Sequence, residues 1–170
     1  MKARLKLGAI LVLALALPAV AQASLPSTKN TLIVPAKSLG GVKLGSSLAA
    51  ASGAWGKGGT CGEASCGYEG KSKGEGAFLL SGNKVIEANI ALGHVGTTTK
   101  LNFNTPLTQF KTAKGIGLGS TVSQLKRAYA GLQKVATDYY NLPGPGTSAT
   151  GFITLSGRVE GIRIQSQPLG

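Results

Sequence analysis

The chain has 170 residues, with 18 Lys and Arg against 6 Asp and Glu, a net charge of +12 at pH 7. A single histidine and two cysteines are too few ligands for a metal centre, and six scattered acids offer little to paired-carboxylate chemistry. Aromatic residues make up only 5% of the chain, so any core rests mainly on Val, Ile, Leu and Ala.

Residues 1–23 read as a cleaved signal peptide. A basic stretch, Met1-Lys2-Ala3-Arg4-Leu5-Lys6, precedes an apolar run from Leu7 to Val20 and a small-x-small site at Ala21-Gln22-Ala23. The run is shorter than the roughly 20 residues a bilayer crossing needs. Loss of Lys2, Arg4 and Lys6 lowers the net charge to about +9. The expected destination is the periplasm or the medium, with no transmembrane segment after the signal is removed. Residues 24–38 form an extended, weakly structured opening segment, with Pro26, Pro35 and one apolar run, Leu32-Ile33-Val34.

A first unit spans residues 39–93. Gly45 permits a tight turn, and Ser46 or Ser47 offers a helix cap. Leu48, Ala51 or Ser52, and Trp55 then fall on one helical face, and Gly56 ends the helix. Thr60 to Gly70 predicts a strand or hairpin that carries Cys61 and Cys66. In an oxidising compartment, cysteines this close read as a disulfide. A further hairpin joins Gly76–Leu80 to Lys84–Leu92 across Ser81-Gly82-Asn83. Residues 94–110 are a Thr- and Asn-rich linker interrupted by Pro106.

The second unit, residues 111–170, repeats the first. Gly41-Val42-Lys43-Leu44-Gly45-Ser46-Ser47-Leu48 is echoed by Gly115-Ile116-Gly117-Leu118-Gly119-Ser120-Thr121-Val122. Ser120 or Thr121 caps a helix whose apolar stripe is Val122, Leu125, Tyr129 and Leu132. Trp55 and Tyr129 are equivalent, both expected as core anchors. A strand is predicted over Leu132–Asn141, then a Pro-Gly loop at 143–146. The closing hairpin, Phe152–Leu155 and Arg158–Gln165, echoes Phe78 to Gly82 with a displacement of about one residue. The expected fold class is therefore α+β: two tandem repeats, each a short helix packed on antiparallel strands, sharing one sheet with a covered face and a polar face.

This pattern is a hydrophobic-Gly-Ser/Thr helix start, a short helix ending at an aromatic, a cysteine pair in the first copy and then a hairpin, used twice. Over residues 38–92 and 110–166 it resembles the secreted beta-lactamase inhibitory proteins. Its single unit resembles the outer-membrane assembly lipoproteins of the BamE/SmpA type. The resemblance implies a helix-plus-sheet architecture and an interaction protein. The chain has no methionine at either helix start, and beta-lactamase inhibition is not carried over.

No catalytic motif emerges, and neither a cofactor nor a metal is expected. Gly115-x-Gly-x-Gly lacks the third glycine of a dinucleotide fingerprint, where Val122 stands, and is read as a turn. A Ser-His-Asp hydrolase would have to use His94 and Asp138. Glu63, Glu69 and Glu75 fall in a Gly- and Lys-rich span that reads as solvated surface. The leading expectation is a non-enzymatic exported binding protein that uses the polar sheet face, with Tyr139, Tyr140, Asn89 and Arg163 as contact residues for a protein partner. The alternative is electrostatic binding of an anionic envelope polymer by Lys126, Arg127, Arg158 and Arg163. No basic-aromatic stacking motif points to nucleic acid.

Overall fold

The computed structural model describes residues 24–166, so the signal peptide expected at 1–23 lies outside the described residues. In chain order the strands and helices are β1 (Leu32–Val34), β2 (Ser38–Leu39), β3 (Val42–Lys43), α1 (Leu48–Trp55), β4 (Thr60–Cys61), β5 (Ser65–Glu69), β6 (Glu75–Ser81) and β7 (Lys84–Ala91). They continue as β8 (Lys111–Thr112), α2 (Val122–Ala128), β9 (Gln133–Ala136), β10 (Tyr139–Pro143), β11 (Ala149–Leu155) and β12 (Arg158–Gln165). An eight-stranded sheet runs β4-β5-β6-β7-β12-β11-β10-β9, and a separate four-stranded sheet runs β3-β2-β1-β8.

This corrects the α+β expectation of two helix-on-sheet repeats on one shared sheet. The described residues are mainly β, in two sheets, and the two helices have only eight and seven residues. Helices this short are not stable by propensity and form only where packing holds them, and Gly53 weakens α1 further. The stretch expected as a weakly structured opening segment supplies β1 instead. β1 pairs antiparallel with β2 and parallel with β8, linking Leu32 to Lys111 and Ile33 to Thr112. Strands this short cannot show alternation, and a parallel pairing between segments so far apart in the chain leaves no local trace.

The offset that carries Gly41 to Gly115 reappears in the bonding of the large sheet. Gly45 N–H donates to Val85 O and Gly119 N–H to Val159 O, both at 2.7 Å. Val85 N–H donates to Ser46 O and Val159 N–H to Ser120 O, both at 2.8 Å. The hairpins close with two-residue turns, Gly82-Asn83 and Ser156-Gly157. All four residues have positive φ, the backbone that matches the twist of a tight hairpin. The offset therefore holds through Phe78 and Phe152. The apparent one-residue displacement arises because the glycine occupies different places in the two turns.

Both helices stand against the same face of this sheet. Trp55, at the end of α1, is fully buried and meets Tyr68 and Phe78 edge-on, at centroid distances of 5.3 and 5.9 Å. Its indole N–H donates to Leu39 O at 3.1 Å, tying the small sheet to the helix. Tyr129, just past α2, stacks on Phe152 at 6.1 Å. Ile90, Ile162 and Ile164 fill the middle, and Leu107 and Phe110 close the core from a 3-10 turn at Pro106–Gln109. Full burial of each such side chain contributes about 1.5–3 kcal/mol.

Candidate partner-binding face

Strand alternation fixes what lies on the other face of the large sheet. The ladder Gly67–Ala77–Asn89–Arg163–Gly151–Asn141 crosses its middle, and Glu69–Glu75–Ala91–Gly161–Ile153–Tyr139 runs alongside. Gly67, Ala77 and Gly151 are interspersed with polar side chains along the first row, and Ala91 and Gly161 lie between Glu75 and Ile153 in the second. Leu79 and Ile153 are exposed at 39% and 36%.

At its centre Asn89 and Arg163 are direct cross-strand partners. The Arg163 guanidinium approaches Glu87 at 3.5 Å, and Asn89 Nδ2 donates to the same carboxylate at 3.1 Å. Arg163 also lies 5.9 Å from the Tyr139 ring centroid, at the outer limit of a cation–π contact. The Tyr139 ring folds over Gly151. A Cβ there would stand 2.8 Å from Tyr139 Cζ and closer still to the hydroxyl, so only glycine leaves room for the ring. Tyr139 Oη, Arg163 Nε and Gln165 Oε1 are buried without a hydrogen-bond partner among the described residues. Each such group costs about 1–3 kcal/mol, and alternation places all three on this face.

The structure thus brings Tyr139, Asn89 and Arg163 together and separates Tyr140 from them. Adjacent strand residues point to opposite faces, and Tyr140 is 5% exposed on the core side, paired with Phe152. Of the basic set, Lys126 Nζ lies 5.7 Å from the Tyr140 ring centroid and Arg127 donates to Ser123 Oγ at 3.0 Å, both on α2. Arg158 sits at the start of β12 and donates to Gly119 O at 2.9 Å. Arg163 is on the opposite side of the sheet, engaged with Glu87. The helix corner gains two cations the sequence did not single out. Lys114 donates to Ala128 O at 2.7 Å and stands over Tyr129, and Lys134 shares a small cavity with Lys126 and Tyr140.

At one end of the open face a cavity of about 740 Å³ is lined by Glu69, Glu75, Glu160, His94 and Lys71 above a floor that includes Ala91 and Gly161. It adjoins a second cavity of about 220 Å³ that reaches Glu87 and Arg163, and the two share Glu75, Ala91 and Ile153. Sequence reading placed Glu69 and Glu75 on undifferentiated surface, because their convergence depends on strand register. His94 lies beyond β7, bridged to Leu101. Asp138 lies in the turn before β10, and β12 and β11 stand between β7 and β10 in the sheet.

The cysteines form the Cys61–Cys66 disulfide across β4 and β5. Among the described residues no helix is long and apolar enough to cross a membrane. No family model matches this chain, and no curated protein matches it. Among solved structures, an extracellular protein containing an SCP domain from Bacillus anthracis str. Ames aligns with 72% of this chain and 43% of its own length, at 10% identity and a TM-score of 0.45. The chain thus spans less than half of that protein, and a likeness this slight fixes neither fold nor function.

Proposed function

We propose that this chain is a non-enzymatic exported binding protein that holds a macromolecular partner on the open face of its eight-stranded sheet. The observation that carries this reading is the contrast between the two faces. One is filled by the aromatic and aliphatic core. The other carries exposed Leu79 and Ile153 and a hydrogen-bonded, partly buried cluster of Asn89, Arg163 and Glu87 beside Tyr139. Tyr and Arg are residue types favoured at the centres of packed interfaces. The Cys61–Cys66 disulfide supports export, since such bonds persist in oxidising compartments.

The test is affinity capture from the native envelope and culture medium, washed at low and then high salt. A defined protein held through high salt, and lost with Tyr139→Ala and Asn89→Ala, is the expected result. Retention by both variants rejects the open face. The cations around α2 favour one second reading, an anionic envelope polymer held at Lys126 and Arg127 with Lys114 and Lys134. That binding would fall steeply with salt.

A further inference from the structure

We infer that the α2 end of the molecule binds an anionic glycan, with Phe103 as the platform for a sugar ring and Lys111, Lys114, Arg127 and Arg158 as partners for its acidic groups. The inference rests on the second reading above, an anionic polymer at α2, and gives that polymer a chemistry. It is independent of the open face.

A cavity of about 540 Å³ is lined by Phe103, Lys111, Ser120, Gln124 and Arg158 around the turn at Gly119. It adjoins a cavity of about 300 Å³ lined by Lys114 and Arg127, and the two share Gly115 and Gln124. No acidic residue lines either one. None of the four cations has a carboxylate partner, since the one salt bridge among the described residues joins Arg163 to Glu87. Their hydrogen bonds go to neutral groups instead. Arg158 donates to Gly119 O, Lys114 to Ala128 O and Arg127 to Ser123 Oγ, which orients each side chain without neutralising it. A concave site lined by one sign of charge focuses its field on the opposite charge.

Charge alone would accept any polyanion, and Phe103 narrows the choice. It is 45% exposed, although Leu101, Thr105 and Leu107 around it in the chain are buried. Asn102 fixes this stretch: its Nδ2 donates to Ser72 O at 3.0 Å, and its Oδ1 accepts from Asn104 N–H at 2.9 Å. The ring lies against Gly119, where a Cβ would stand 3.0 Å from Phe103 Cε1. The first copy is the control. A Cβ at Gly45, the counterpart of Gly119, would meet nothing within 4 Å, so no ring lies on that turn. The counterparts of Lys114, Arg127 and Gln124 there are Gly40, Gly53 and Ala50. The same turn is thus built without the ring, the amide or these two cations, so the fold does not require them. Thr121 N–H donates to Gln124 Oε1 at 2.8 Å, which fixes the amide and leaves its Nε2 to donate. Ser120 Oγ accepts from Gly117 N–H at 3.1 Å and keeps its own hydrogen to donate. An acidic sugar presents an apolar C–H face, hydroxyl edges and a fixed negative charge. The ring, the amide and hydroxyl donors, and the cations answer these in turn, an aromatic wall with a few placed polar groups. Binders of single-stranded nucleic acid line up several aromatic platforms for successive bases, and this site has one.

The experiment is fluorescence anisotropy of a labelled oligogalacturonate with the purified protein at low salt. Labelled oligoglutamate of equal length and labelled single-stranded DNA serve for comparison. The first two carry one carboxylate per unit and differ in the sugar ring. The oligogalacturonate is expected to bind more tightly than the oligoglutamate. Phe103→Ala should weaken it about tenfold, the scale of one lost stacking contact, and leave oligoglutamate unchanged. Phe103→Trp should keep the preference, and Lys114→Gln/Arg127→Gln should weaken both oligomers. Thermal stability of the Phe103 variants should match the parent's, because the ring is largely outside the core. No binding of oligogalacturonate, no preference for it, or a preference that survives Phe103→Ala overturns the inference. So does tighter binding of the DNA that is lost with Phe103→Ala, which would give the site to nucleic acid. The readings fail separately. If both oligomers bind and Phe103→Ala alters neither, the anionic-polymer reading stands and the glycan falls. Tyr139→Ala should leave oligogalacturonate binding intact, so the open face is judged on its own partner.

Discussion

The half of the large sheet from β4 to β7 and the half from β9 to β12 share hairpin turns, bulges and helix contacts, yet they differ at the positions that meet solvent or the outer edges. The first half anchors its helix with a fully buried Trp55, the second with Tyr129 at 9% exposure. The first closes its outer edge with Cys61–Cys66. The equivalent positions in the second are Val135 and Tyr140, and Val135 stands 62% exposed on an edge strand. The first half gives Ala77 where the second has Gly151, and Ser65 where the second has Tyr139. Backbone bonding and core volume are what this architecture demands of both halves. The outer face and the edges are free to differ, so their differences are where function is to be sought.

The largest expected break in the comparison lies at the anchors. Trp55→Ala removes two edge-on aromatic contacts and the bond to Leu39, and should lower unfolding free energy by about 3–5 kcal/mol, with Tyr129→Ala costing less. Chemical denaturation of both variants reads the difference, and equal losses would contradict unequal anchoring. Next comes the disulfide. Its short loop implies a loss of about 2 kcal/mol on reduction. Hydrogen exchange should rise in β4 and β5 while β9 and β10 stay as they were.

Gly151→Ala should cost about 1–3 kcal/mol because the new methyl meets the Tyr139 ring. Adding Tyr139→Ser should restore most of that loss, since Ser65 over Ala77 is the arrangement the first half already uses. A double variant no more stable than Gly151→Ala alone would show that the ring is not what requires glycine. The caps give a smaller contrast. Thr121 accepts from Gln124 N–H while its own N–H donates to Gln124 Oε1 at 2.8 Å, whereas Ser47 offers a single bond at 3.3 Å. Thr121→Ala should cost about 1 kcal/mol and Ser47→Ala less, by thermal unfolding.

The smallest effect is on pH dependence. Burial raises the Tyr68 and Tyr129 hydroxyls above the ordinary value of 10.0, against the lowering effect of their hydrogen bonds. Above that value the unfolded chain loses phenolic protons that the folded one keeps. Stability from these groups is therefore full below pH 10 and declines as pH rises toward the folded values. Tyr68→Phe and Tyr129→Phe should flatten that alkaline decline, and an unchanged slope would assign it to other groups.

Much of this structure is local and was legible. Turn glycines, Ser and Thr caps, the two hairpins and the close cysteine pair each depend on residues within a few positions of one another, and the echo of Gly41–Leu48 in Gly115–Val122 exposed their duplication. The small sheet was not legible, because β1 and β8 meet through pairings too short to leave a periodic signal. Tyr139 and Tyr140 read as one set because sequence adjacency says nothing about which face a side chain takes until register is known. The same holds for the cavity. The sequence by itself determined composition, charge, the duplicated turns and the inventory of acids. Only tertiary structure decided that Glu69 and Glu75 stand opposite one another, that a bulge brings Glu160 beside them, and that Arg163 belongs with Glu87 rather than with the cations of α2. Register, bulges and strand order are properties of chains already paired. They follow from which faces must be buried together, and no short window of sequence contains that condition.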